Sequence, residues 1–342
     1  MSSKLIARLG ARRWLAAAAI VGAGLLASCG GGGQVVRFAP TRILAFGDEL
    51  STIEADGRKY GVNAFRQITV GGVLTDDPTA IDCVRNPLWI QSVASGFGLA
   101  FDRCMGIAPA ASGQILAVQG HKVADLSRPN TPGNPGQLER VTGAALNDKD
   151  LALVMMGMND ILELYAQYPG VGRDALLEQA RARGQALGAF INQVATSGPA
   201  VVVLTVPDIG QSPFALAQNT SSGDATRSAL ISELVSAFNN RMSLALINDG
   251  RLIGLVYADI ETQNMVKFPT SFGLTNVVAP ACLDTAPLPG CTTATLVAAD
   301  AVTGAAAATA TTWLWADNLR LSPAGQSRLG TLALSRASTN PF

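Results

Sequence analysis

The chain has 342 residues, of which 48% are apolar and 15% charged, with 25 basic and 25 acidic side chains and one histidine. That length and apolar content suit one large α/β core, and the balanced charge without a basic run argues against nucleic acid as a partner. No internal repeat, coiled coil or second domain is legible in it.

The first 28 residues stand apart from the rest. Lys4, Arg8, Arg12 and Arg13 make a basic start, and Trp14 to Leu26 form an apolar stretch too short to span a bilayer comfortably. Leu26-Ala27-Ser28-Cys29 resembles a bacterial lipobox, which implies a signal peptide over 1–28 and a lipid-anchored Cys29. An ordinary secretory signal is the alternative, and Arg12-Arg13 also reads as a twin-arginine signal lacking its usual flanks. Residues 29–40, with Gly30 to Gly33, then read as a tether, and 41–337 as the folded domain. Removing four basic residues with the signal leaves 21 basic against 25 acidic, a net charge of −4. Gly30, where an Asp commonly retains such lipoproteins at the inner membrane, points to the outer membrane of the cell envelope. The membrane is therefore an expected partner, through the anchor.

Four further cysteines, Cys83, Cys104, Cys282 and Cys291, are an even set in an exported chain and imply two disulfides. Three pairings are open, and loop locality favours Cys83–Cys104 with Cys282–Cys291. Zinc competes poorly, because there is one histidine and no Cys-x-x-Cys spacing. No metal and no cofactor is expected.

In chain order, Arg42 to Phe46 reads as a buried strand broken by Gly47-Asp48 into a turn that opens a helix. Residues 52–82 read as a long loop, and Pro87 to Gly96 as a short helix with proline in its first turn. Gln137 to Leu146 is expected to be helical. Leu151 to Met156, Ala200 to Val206 and Leu252 to Ala258 read as central strands, the last closed by Asp259. Arg173 to Thr196 and Ala225 to Ile247 carry helical spacing between them. The Ala- and Thr-rich segment 293–312 reads as an inserted loop, and a final helix starts near Pro323. Continuous apolar strands alternating with helices predict a mainly parallel sheet covered on both faces.

Four stretches carry a family resemblance. Gly47-Asp48-Glu49-Leu50 resembles the Gly-Asp-Ser-Leu block of the SGNH, or GDSL, esterases and acylhydrolases, with Glu49 at the nucleophile position. Gly120 matches their oxyanion-binding glycine, and Gly157-Met158-Asn159-Asp160 fits their Gly-x-Asn-Asp block, whose Asn donates to the oxyanion. Asp317-Asn318-Leu319-Arg320 resembles the final Asp-x-x-His, with Arg320 in place of the base. Val206-Pro207-Asp208-Ile209-Gly210 and the region Phe268 to Cys282 also look like bacterial lipase-like members. The resemblance covers residues 41 to 335 and implies a three-layer α/β/α, flavodoxin-like architecture.

Such a site needs a hydroxyl nucleophile, a neutral imidazole base and fixed oxyanion donors. The resemblance implies that Gly120, Asn159 and Asp317 keep the donors and the orienting acid. A Glu is no neutral hydroxyl, however, and an Arg stays protonated at any useful pH. The two replacements are complementary, so Glu49 and Arg320 are expected to pair, with Asp317 on the same guanidinium. The expectation is a degenerate esterase that binds an acyl or acylated-glycan ligand. One alternative is an active ester hydrolase with an unconventional nucleophile or base, using a Ser51–His121 dyad. Another is glycoside chemistry on Glu49 with Asp48 or Asp317 as the second carboxyl. A third is a structural envelope lipoprotein. Ser51 also has a plain reading as a helix cap or first-turn residue, and Asp48 and Asp160 as turn-steadying carboxylates. Trp313 and Trp315 read as pocket wall or core, and Met155, Met156 and Met158 as core filler.

Overall fold

The computed structural model describes residues 38–104, 112–127 and 135–339. The expected signal peptide, the expected lipid anchor Cys29 and the glycines at 30–33 lie outside the described residues. From residue 38 onward the chain forms one compact unit, and the ring of Phe38 already packs edge-on against Phe97.

Five parallel strands make the central sheet. They are β1 (Arg42–Gly47), β4 (Gly113–Ile115), β5 (Asp150–Met155), β6 (Ala200–Leu204) and β7 (Ile253–Val256). They lie in the order β4-β1-β5-β6-β7. Counted within the sheet this is the doubly wound order 2-1-3-4-5, and the chain reverses direction across the sheet between β1 and β5. Ile43, Leu44, Ala45 and Phe46 of β1 are fully buried, as are Val201 to Leu204 of β6. Neighbouring residues of a strand point to opposite faces, so burial of consecutive residues means both faces are covered.

Among the described residues there are seven α-helices: α1 (Trp89–Gly96), α2 (Met158–Tyr165), α3 (Arg173–Thr196), α4 (Pro213–Ser222), α5 (Arg227–Ala245), α6 (Ala258–Lys267) and α7 (Pro323–Thr339). Helices α3 and α5 pack together with α3 against β6, while α1 packs on α7 and α7 on β6 and β7. Gly184 of α3 makes the first pairing close, since a Cβ there would lie 2.1 Å from the carbonyl oxygen of Phe238. Two short strands, β8 (Asn276–Pro280) and β9 (Trp313–Trp315), pair outside the central sheet. Among the described residues no helix is long and apolar enough to cross a membrane.

Several expectations need correction. Residues 52–82 contain the antiparallel hairpin β2 (Ala64–Val70) and β3 (Val73–Asp82). With residues 66 to 76 exposed on both faces, the ribbon has no inward row to mark it in the sequence, though Gly71-Gly72 was a hairpin turn signal. Gln137 to Leu146 is not a helix, only a 3₁₀ turn at Leu138–Arg140. Helices α2, α4 and α6 were not anticipated; each is 8 or 10 residues long, too short for a decisive period. The last strand ends at Val256, and Ala258 and Asp259 already belong to α6.

The expected disulfides, Cys83–Cys104 and Cys282–Cys291, are both formed. Beside the first, the buried Lys59 donates from Nζ to the carbonyls of Cys83 (2.9 Å), Arg85 (2.6 Å) and Asn86 (3.0 Å). Burial pulls its pKa down to about 7, against the opposing charge of Asp82. Lys59 thus fastens the chain where it returns from the hairpin to α1.

Gly47 closes β1 at φ +147°, and a Cβ there would lie 2.2 Å from the Met155 carbonyl oxygen. Gly47→Ala should cost about 3 kcal/mol or more, since neither strand backbone can yield. Gly98→Ala, at φ +69° with open space around it, should cost only about 1 kcal/mol. Urea unfolding of both variants checks the difference.

Candidate functional site

The site sits at the carboxyl ends of β1 and β5, the crevice where an open α/β sheet reverses its strand order. After β1, Asp48 caps a 3₁₀ turn over Glu49–Ser51, its Oδ1 accepting from the Leu50 amide at 3.1 Å. The Thr52 hydroxyl donates to the Asp48 carbonyl at 2.9 Å. This tight turn projects Glu49 inward, leaving its side chain 1% exposed.

After β5, Gly157 (φ +131°) starts α2 where a Cβ would lie 2.5 Å from the Phe238 ring. Asn159 follows in the first turn of that helix. Its neighbour Asp160 accepts from the Val123 amide at 3.0 Å and ties the loop carrying Gly120 to α2. The last wall comes from β9, whose Trp315 indole donates to the Val277 carbonyl at 2.9 Å. Beyond it Ala316 donates to the Arg320 carbonyl at 2.8 Å, closing the turn that presents Asp317 and Arg320.

These elements converge on the Glu49 carboxylate. Oε2 accepts from the Gly120 backbone N–H at 3.1 Å and from Asn159 Nδ2 at 2.9 Å. Oε1 accepts from Arg320 Nη2 at 2.6 Å. Arg320 Nη1 donates to Asp317 Oδ2 at 2.8 Å, while Asp317 Oδ1 accepts from the Leu319 and Arg320 amides. The expected ion pair is formed, and Asp317 holds the same guanidinium. The two expected oxyanion donors do meet, and the group they meet is the chain's own carboxylate.

The electrostatics follow from that geometry. Burial alone would raise the Glu49 pKa, but the Arg320 charge and hydrogen bond, with Asn159 and Gly120, hold it below its ordinary value. Burial would lower the Arg320 pKa, and Asp317 with Glu49 raises it instead. Neither group exchanges a proton near neutral pH. Asp48 behaves oppositely: burial, then the adjacent Glu49 charge, pushes its carboxyl well above the ordinary range.

The other candidates have other partners. Ser51 is fully buried, and its Oγ accepts from the Trp89 indole N–H at 3.1 Å. Nδ1 of His121 faces Gln137 Nε2 at 3.2 Å, and the His121 carbonyl accepts from Asn159 Nδ2 at 3.1 Å. Met155, Met156 and Met158 are core, as are Trp313 and Trp315. Among the described residues no cluster of three or more His, Cys, Asp or Glu could hold a metal ion.

Gln137 was missed by sequence reading. It is fully buried, accepting from the Gly47 amide at 2.9 Å and donating to the Gly47 carbonyl at 2.7 Å. It thereby clamps both sides of the glycine that launches the site and also touches His121. No local signal marks it; it simply follows the Pro- and Gly-rich stretch.

No protein-family model matches the chain, and no curated protein matches it. The chemistry of the site therefore has to be read from its own groups. A carboxylate oxygen held by a backbone N–H and an Asn amide occupies a pair of donors of the kind that stabilises the oxyanion in acyl transfer. With those donors engaged and the guanidinium held protonated, the arrangement stores a fixed charge pair.

Arg320→Ala should lower stability by about 3 kcal/mol, because it leaves a buried carboxylate without its counter-charge. Glu49→Ala with Arg320→Ala should cost less than the two single losses combined, which a double-mutant cycle in urea measures. The pH dependences run in opposite senses. The Glu49 contribution is complete above its ordinary pKa of 4.5 and lost as pH falls through the depressed one. The raised Asp48 pKa contributes only at acid pH, and that contribution disappears as pH rises toward the elevated value. Asp48→Asn should accordingly raise Tm at pH 7, with the gain shrinking toward zero as pH approaches 3.8, the ordinary Asp value.

Proposed function

We propose that this chain is an exported lipoprotein with a three-layer α/β/α, SGNH-type architecture, and that it is a disarmed ester hydrolase. One observation carries the reading: Glu49 Oε2 accepts from both Gly120 N–H and Asn159 Nδ2, while Oε1 accepts from Arg320. Ester hydrolysis at this position would need a hydroxyl at Glu49 and a neutral base at Arg320. Support for the architecture comes from the doubly wound strand order and from the placement of all four resembling stretches around one crevice.

The role that remains is non-catalytic. A ligand of the substrate class, an acyl chain or acylated glycan at the cell envelope, would be held by the walls of the crevice, since Glu49 has taken the carbonyl-binding donors. A structural envelope lipoprotein is the second reading, favoured by the closure of the Glu49 carboxylate beneath Arg320, at 1% and 21% side-chain exposure.

The test is an esterase assay on short- and medium-chain aryl esters, comparing the parent with Glu49→Ser/Arg320→His. The parent should be silent and the double variant should hydrolyse ester at least about a hundred-fold faster. Adding Asn159→Ala to the double variant should then remove about a hundred-fold. A parent that turns over at an enzymatic rate, indifferent to Glu49→Gln, would refute the disarmed reading and send the search to Ser51 and His121.

A further inference from the structure

The hairpin β2–β3 takes no part in the site, and among the described residues its tip from Gln67 to Thr75 is exposed throughout. Residues 66 to 76 are all exposed. An isolated two-stranded ribbon is marginal in water, so one that keeps aliphatic side chains at its free end calls for a partner. Val70 pairs with Val73 across the Gly71-Gly72 turn, and Ile68 pairs with Thr75 one row back on the same face. Leu74 lies on the other face. These four aliphatic side chains are 40% to 67% exposed.

Polarity changes sharply along the ribbon. From Gln67 to Thr75 there is no charged residue. Immediately behind come the Arg66–Asp77 pair at 3.3 Å and the Arg85–Asp76 pair at 3.1 Å. From Arg66 to the turn is about 14 Å at ordinary strand rise. The uncharged cap is therefore longer than the roughly 5–10 Å that interfacial segments sink into the headgroup and acyl boundary, so the inserted part would carry no charge.

Resting on the exported-lipoprotein reading, we propose that the tip of this hairpin inserts into the lipid bilayer interface, as a second membrane contact beside an anchor at Cys29. Sideways pairing with a second copy is hindered, because β3 carries Pro78 and the ladder shifts register between Phe65 and Arg66. An end-on contact uses the aliphatic tip and needs neither edge. The length of the leader favours a bilayer as the occupant. Cys29 stands nine residues before Phe38, a run that spans at most about 30 Å. An acyl chain on Cys29 would keep the domain within that distance of the membrane surface.

The experiment uses residues 38–342, which form one compact unit, so no acyl chain contributes. Flotation with phosphatidylethanolamine–phosphatidylglycerol vesicles should carry the parent domain. Val70→Asp/Leu74→Asp should cut the bound fraction about ten-fold or more, with Tm unchanged because these side chains support no core. In a separate variant, Val73→Trp, vesicles should shift the added emission to the blue, and lipids brominated on the acyl chain should quench it. Equal flotation of parent and double-Asp variant, or a Val73→Trp emission blind to vesicles, overturns the proposal. So does a concentration-dependent dimer that Val70→Asp/Leu74→Asp abolishes in the absence of any vesicle binding, which would make the partner a second copy. None of these variants touches Glu49, Arg320, Gly120 or Asn159, so the outcome is independent of the hydrolase reading.

Discussion

A carboxylate taken out of water has to be met by donors and counter-charge, or it reprotonates. Glu49 is the group on which this constraint falls, and three separate parts of the chain are fixed by it. Gly120 brings a backbone N–H from the loop after β4, Asn159 an amide from the start of α2, and Arg320 a guanidinium from the turn after β9. Asp317 then holds the guanidinium from behind. The contacts act together, because the carboxylate stays charged in a closed place only while donors and a counter-charge meet its oxygens. The pair spans 271 residues of sequence, so it also ties the first strand to the last helix's approach.

The geometry that permits this arrangement is made by the backbone. Gly47 lets β1 end against the Met155 carbonyl, and Gly157 lets α2 begin against Phe238. Both sit beside the point where strand order reverses, the natural crevice of such a sheet. Gln137, arriving from an irregular segment, bonds both sides of the Gly47 peptide and fixes the direction of the turn. In this setting the residue at position 49 decides what the two donors hold. A hydroxyl there would leave the donors for a reacting carbonyl, whereas the longer carboxylate reaches them itself.

The charges near the crevice are not uniform in consequence. Glu49 has a partner for every role its oxygens play, whereas Asp48, one residue earlier, is equally buried and takes only the Leu50 amide. Adjacent carboxyls in one low-dielectric pocket cannot both ionise cheaply, and the counter-charge has gone to Glu49. Asp48 survives as a cap for the 3₁₀ turn, a job that a neutral carboxyl or an amide can do. A carboxylate needed for shape alone is the weaker member of such a pair.

The amino-acid sequence determined much of this by itself. The strands β1, β5, β6 and β7 were legible because strands buried on both faces are continuous apolar runs, and α3, α5 and α7 because long amphipathic helices repeat their period. The Glu49–Arg320 pairing was legible from charge complementarity between two positions in resembling motifs, and the disulfides from loop locality. The hairpin escaped because a ribbon with neither face buried has no hydrophobic alternation to read. The short helices α2, α4 and α6 escaped because two or three turns hold too few apolar positions. Only the tertiary structure decided that both oxyanion-type donors close on one Glu49 oxygen, that Gln137 clamps Gly47, and that Ser51 is spent on Trp89. Those contacts join residues 38 to 110 positions apart, and local spacing carries no record of which distant group a buried atom will meet.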